Sequence, residues 1–308
     1  MSTQTVGREP PAIETRRLTK SYGGSRGIVE LDLRVELGEV FGFLGPNGAG
    51  KTTTIRTLLD LQRPTSGEAR LFGLDSRRDS VAIKRRVGYL PGELSLYDRL
   101  TGRDHLAWLA RLRGGVGQGV IDELADRFGA ELDRPIRDLS RGNRQKLGLI
   151  QALMHEPELV ILDEPTTGLD PLMQEEFIRL AREVADEGRT VFLSSHDLDE
   201  VQRVADRVGI VRDGRLVTVE SVDVLRRRAI RHVEITFAAP VDPARFAGLD
   251  GVVEAVGDGP VVKLSVSGGL DAIVKEAARH EVVDLLSEPA DLEEIFLSYY
   301  RDELEGPC

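Results

Sequence analysis

"EVFGFLGPNGAGKTTT" runs from Glu39 to Thr54 and joins two kinds of sequence. Glu39 to Leu44 reads as a short strand buried on both faces. Gly45 to Thr52 fits the pattern G-x-x-x-x-G-K-[ST]. Beyond it, Ile55, Leu58 and Leu59 mark one face of a helix. Strand, glycine loop and helix in that order make a phosphate cradle, because the glycines let successive N–H groups turn inward. The helix N-terminus adds its positive end. The expected phosphate-binding residues are Gly45, Pro46, Asn47, Gly48, Ala49, Gly50, Lys51, Thr52 and Thr53. Lys51 is expected to reach the β- and γ-phosphates of a bound nucleotide, and Thr52 to ligate Mg²⁺.

Working outward, "LVIL" (Leu159 to Leu162) and "TVFLSS" (Thr190 to Ser195) repeat the buried-strand pattern. Asp170 and Pro171 read as the N-cap and first residue of a helix lined by Phe177, Leu180, Ala181 and Val184. Short apolar strands between helices predict an α/β fold with a parallel sheet covered on both faces. From Thr101 to Met154 the spacing is helical throughout, as Ile121, Leu124, Ala125 and Phe128 show. That stretch is expected to be a helical insertion, about residues 95–156, in a domain covering residues 1–228. Residues 229–308 alternate differently. Val233, Ile235 and Phe237, then Val262, Leu264 and Val266, predict strands with one wet face. Helices are expected at Leu270–Ala277 and around Leu292, Ile295, Phe296 and Tyr299. The tail is therefore expected to be a small α+β domain of ferredoxin-like order.

Asp163 ends a buried strand, where its carboxylate can hold Mg²⁺. Glu164 follows and can take a proton from an attacking water. His196 ends the next strand and can donate to a γ-phosphate. No other histidine is spaced to form a metal cluster with it. Tyr22, ahead of the glycine loop, either stacks on an adenine face or is an ordinary strand aromatic.

Composition excludes some classes. A net charge of −11 argues against a nucleic-acid partner. Cys308 is the single cysteine, so no internal disulfide framework is expected. No apolar run approaches bilayer length, and "MSTQTVGREPPAIE" lacks the pattern of a signal peptide.

Tyr22, "GPNGAGKT", "LSRGN", "LVILDEP", "TTGLDP" and His196 occur in this order. In that order they resemble the ATP-binding subunit of an ABC transporter. The resemblance implies a P-loop NTPase core of RecA-like type with an ABC helical subdomain. It also implies a head-to-tail dimer of two such subunits, with two MgATP at their seam. In that dimer Ser140 and Gly142 would complete the partner's nucleotide site, and Asp170 would lie at the seam. Lys51, Thr52, Asp163, Glu164 and His196 would act on the nucleotide of their own chain.

Two positions depart from the family pattern. The signature usually reads LSGGQ, so Arg141 replaces a glycine and Asn143 a glutamine, which shortens a contact to the partner. Gly92, in "YLPGELSLY", stands where the family usually has a metal-facing glutamine, and Glu93 follows one residue late. Leu94 to Tyr97 are expected to line a groove for a permease helix. "DLEEIFLSYYRDELEG" resembles the tail of drug- and antibiotic-exporting ATPases that pair with ABC-2-type permeases. Dimer support and regulation are both open roles for that tail. The expected function is ATP hydrolysis that drives export through such a permease, at the cytoplasmic face of the membrane. One rival is a soluble ABC ATPase acting on ribosomes or DNA, usually built from tandem cassettes or long coiled coils. A second rival is a regulatory subunit that hardly hydrolyses ATP.

Overall fold

Every residue of Val40–Leu44 is buried, and this strand sits near the middle of a six-stranded sheet. The order across the sheet is Arg215–Ser221, Arg207–Arg212, Val40–Leu44, Thr190–Ser195, Leu159–Asp163 and Val87–Leu90. The pairs from Arg207–Arg212 to Val87–Leu90 are parallel. Parallel strands need crossovers, and helices supply them, so both faces are covered and the central strands are buried along their length. The computed structural model describes residues 9–23, 25–115, 118–228 and 230–287, in two compact units, 1–219 and 220–308.

A second sheet in the first unit is antiparallel. It is built on Ile13–Tyr22, which pairs with Ser25–Leu31 on one side and Ser66–Leu71 on the other. Phe41, Phe43 and Phe192 from the parallel sheet join Ile13, Leu18, Ile28 and Leu71 from the antiparallel one in a single buried cluster. The helix Lys51–Leu58 adds Ile55 and Leu58 to it. Each such side chain contributes about 1.5–3 kcal/mol when fully buried. The glycine loop is thus anchored at both ends by buried residues of this core.

The helical stretch contains Gly102–Leu112, Gln118–Phe128 and Arg141–Leu153. Thr101 caps the first of these by accepting from Asp104 N. A short 3₁₀ turn, Ile136–Asp138, leads into the third. Leu147, Leu149, Ile150 and Leu153 form the buried stripe of that third helix. It packs on Val87–Leu90. A Cβ at Gly148 would lie 2.6 Å from Leu90 Cδ1, so a larger residue here would have to displace the Leu90 and Leu94 side chains.

In the second unit, four antiparallel strands lie in the order Val252–Asp258, Val261–Ser267, Ile230–Phe237, Val282–Ser287. Helices Ala244–Ala247 and Asp271–Ala277 fall between the first and second and between the third and fourth strands of the chain. This is the ferredoxin-like order expected from the sequence. Val233, Ile235 and Phe237 face its core together with Val262, Leu264, Val266 and Ile273. The helix expected around Leu292 to Tyr299 and the residue Cys308 lie outside the described residues.

Candidate active site

The glycine loop leaves the strand at Leu44 and enters the helix at Lys51. Gly48 and Gly50 have φ of 81° and 106°, which turns the backbone inward in a way side chains resist. Gly50 is also crowded: a Cβ there would lie 3.0 Å from the Gly27 carbonyl oxygen. Pro46, Asn47, Gly48, Gly50, Lys51, Thr52, Thr53 and Glu164 line a cavity of about 270 Å³. Ala49, also predicted to belong to the cradle, is buried beneath it, where its carbonyl accepts from Gly214 N. Gly45 donates its N–H to the Ser195 carbonyl and so joins the loop to the neighbouring strand.

Lys51 is buried. Its ammonium donates to the Gly45 carbonyl at 2.5 Å and lies 3.2 Å from Glu164 Oε1. The other oxygen, Oε2, is 2.7 Å from His196 Nδ1. Lysine and histidine, both expected to meet phosphate, therefore share one carboxylate. Glu164 has φ of 54°, a left-handed conformation that costs a non-glycine residue about 1–3 kcal/mol. Its N–H donates to the Ser194 carbonyl at 3.1 Å. Its carbonyl accepts from Gln145 Nε2 at 3.3 Å. These contacts hold the turn that aims the carboxylate back over the loop.

Asp163 lies one residue earlier and is fully buried. Its Oδ2 accepts from the Thr52 hydroxyl at 2.8 Å, and its Oδ1 from Ser194 Oγ at 2.5 Å. The Asp163 carboxylate and the Thr52 hydroxyl that lines the pocket are the hard oxygen donors that a magnesium ion takes. The residues fit that ion. A Cβ on Gly92 would lie 3.2 Å from Asp163 Oδ2, so this position faces the same carboxylate but offers it no side chain. Burial and, second, the Asp163 carboxylate push the Tyr89 phenol above its ordinary pKa.

The remaining predicted residues lie outside this pocket. Ser140 caps the helix Arg141–Leu153 by accepting from Asn143 N at 3.2 Å. Gly142 closes on the Gly168 carbonyl, where a Cβ would come within 2.8 Å, so its smallness is needed within its own chain. Asn143 uses its side chain locally: Oδ1 accepts from Glu131 N and Nδ2 donates to Glu131 Oε1, both at 3.2 Å. The sequence had assigned that side chain to a partner. Asp170 caps its helix by accepting from Met173 N at 3.1 Å. Tyr22 is 46% exposed at the end of its strand, hydrogen-bonded to Gln62 and beneath the Lys20 ammonium at 5.3 Å. Sequence reasoning missed Gln145, Ser194 and Glu131. Gln145 stands out only as a polar residue at a buried helix position. For the other two no local pattern exists.

Comparison with known proteins agrees with this geometry. The family model "ABC transporter" matches residues 28–167. The chain is 41% identical over 225 residues to the bacitracin transport ATP-binding protein BcrA of Bacillus licheniformis, covering 72% of this chain and 74% of that one. It is 34% identical over 302 residues to BcrA of Enterococcus faecalis, covering 96% of each. The daunorubicin/doxorubicin resistance ATP-binding protein DrrA of Streptomyces peucetius is 40% identical over 211 residues, covering 67% of this chain and 64% of that one. A solved ATP-binding subunit of an ABC transporter superposes with a TM-score of 0.64 at 29% identity, over 70% of this chain and 92% of that one. With a phosphate loop, a paired acid turn and relatives more than 30% identical, one of them matched over 96% of its length, the chain belongs to the ABC transporter family, as an ATP-binding subunit that hydrolyses ATP to drive transport.

Proposed function

We propose that this subunit binds MgATP between two copies of itself and powers export of a drug-like or lipophilic compound through an ABC-2-type permease. The convergence of Lys51 and His196 on the carboxylate of Glu164, above the Asp163–Thr52 pair, carries the reading. Lys51 and the loop N–H groups bind the β- and γ-phosphates. Asp163 and Thr52 would hold a magnesium ion, which when bound neutralises charge on the phosphate oxygens. Glu164 takes a proton from water as the water oxygen bonds to the γ-phosphorus and the bond to the β–γ bridging oxygen breaks. His196 positions Glu164 and donates to the γ-phosphate. Ser140 and Gly142 face the nucleotide of the second copy, with Asp170 at the seam, so ATP joins the two subunits and hydrolysis releases them.

The permease is proposed to dock beside Tyr97, which is 54% exposed and stacked edge-on against Trp108 at 5.0 Å. Among the described residues no helix is long and apolar enough to cross a membrane. We place the subunit at the cytoplasmic face of the membrane, held by the permease, with residues 229–308 supporting the dimer or regulating it. The drug class follows from the names of the BcrA and DrrA relatives. Co-purification decides the partner: a detergent-solubilised multispanning protein is expected, and recovery with ribosomes instead would overturn the reading.

A further inference from the structure

Glu200 has no place in the scheme above. It lies in the first turn of the helix Leu198–Val204, and its backbone N–H donates to the capping carboxylate of Asp197 at 3.2 Å. Its side chain turns away from solvent. Oε2 accepts from the Ser195 hydroxyl at 2.6 Å, and that hydroxyl accepts from Asp197 N at 3.0 Å. His196 is thereby flanked by two residues joined through the Ser195 hydroxyl, which donates to this carboxyl. On its other side Glu200 faces the loop after Glu164, where Thr166 lines the same cavity, and Oε1 has no hydrogen-bond partner among the described residues. Thr166, Gln174, Ile178, Asp197, Asp199 and Arg203 line a cavity of about 150 Å³ with it. Arg203 pairs with Glu175 rather than with Glu200. Burial, followed by the charges of Asp197 and Glu164, works against ionisation of the group and raises its pKa.

A buried acid without a cation is costly to keep for stability alone. What it does here is accept from the turn that carries His196. We propose that Glu200 is a positioning residue that braces the Ser195–Asp197 turn, which carries His196, against the loop after Glu164, where Thr166 lines the same cavity. The imidazole and the carboxylate are thereby kept 2.7 Å apart as one unit. This rests on the roles proposed above for Glu164 and His196.

The test is ATP turnover, nucleotide binding and His196 ring NMR signals in the full-length chain carrying Glu200→Ala, Glu200→Gln or Ser195→Ala. Glu200→Ala is expected to lower kcat at least tenfold and to change the Kd for ATP less than twofold, with the His196 signals moved. Glu200→Gln still accepts from Ser195, so it should retain at least half of kcat and the wild-type His196 signals. Ser195→Ala should match Glu200→Ala, and the double variant should lose no more than either single one. If Glu200→Ala does not fold, Ser195→Ala carries the test through the same split between kcat and Kd. Turnover within twofold of wild type in Glu200→Ala overturns the proposal. So does a Glu200→Gln variant as poor as Glu200→Ala, or additive losses in the double variant. Wild-type turnover in Glu164→Gln would instead sink the reading of the site itself.

Discussion

Gln145 donates its side-chain amide to the Pro165 carbonyl at 2.8 Å, from a buried position on the helix that begins at Ser140. The helix expected to face a partner's nucleotide is thus fastened to the turn that aims Glu164 within its own chain. Removing the amide takes its donor from the buried Pro165 carbonyl, at about 1–3 kcal/mol, while the Glu164 carbonyl keeps the Thr167 N–H. For Gln145→Leu we expect a lower melting temperature and a fall in kcat that exceeds any change in ATP affinity. Thermal unfolding beside steady-state kinetics checks this; unchanged kcat would show that the two elements are not coupled.

Glu164→Gln keeps the shape of the side chain but removes the proton acceptor. ATP should still bind, hydrolysis should drop at least a hundredfold, and ATP should hold two subunits together. Light scattering with and without ATP reads the dimer, and an inorganic phosphate assay reads turnover.

Lys51→Ala removes the buried cation of the glycine loop and leaves the carboxylate of Glu164 with His196 alone. Equilibrium titration is expected to show ATP binding weakened at least tenfold. An unchanged Kd would deny Lys51 its phosphate contact.

Gly50→Ala tests the loop backbone. Its φ of 106° and the Gly27 carbonyl 3.0 Å from an added Cβ leave alanine no relaxed fit. Denaturant unfolding should register a loss of at least ~1 kcal/mol, the size of the backbone penalty alone. Nucleotide binding should weaken with it.

His155 sets an acid limit on stability. Burial and, second, the Arg113 guanidinium lower its pKa to about 4, against a hydrogen bond to the Val87 carbonyl. A histidine held neutral in the fold but free to charge when unfolded makes the unfolded chain bind more protons between those two values. Its stabilising effect is therefore complete above the ordinary value near ~6.5 and is lost as pH falls through about 4, up to ~3 kcal/mol. His155→Gln should flatten the stability profile over that window, as read by chemical denaturation at stepped pH.

Most of the nucleotide side of the pocket was legible in the sequence, because it is made of contiguous residues with fixed backbone jobs. Gly48, Gly50, Lys51 and Thr52 follow one another, and Asp163 and Glu164 end a strand that any apolar run would announce. Asp170 and Pro171 likewise declared a helix start, and the alternation of Val233, Ile235 and Phe237 declared a half-buried strand. What stayed hidden depends on distant pairs. Ser194 reaches Asp163 across neighbouring strands, and Gln145 reaches Pro165 from another subdomain. Asn143 was read as partner-facing from its motif alone, whereas Glu131, twelve residues earlier, captures its amide. No periodicity in a chain records which loop will fold beside which.

The contact between Lys51 and Glu164 also bears on how the subunit behaves between turnovers. If Lys51 meets phosphate as proposed, an incoming polyphosphate would compete with an anion that the protein already carries, and its affinity would be a difference between two pairings rather than the strength of one. When orthophosphate departs, the resident acid can fall back onto the ammonium and blunt rebinding of the product. A tethered competitor of this kind would favour forward cycling over tight storage of nucleotide.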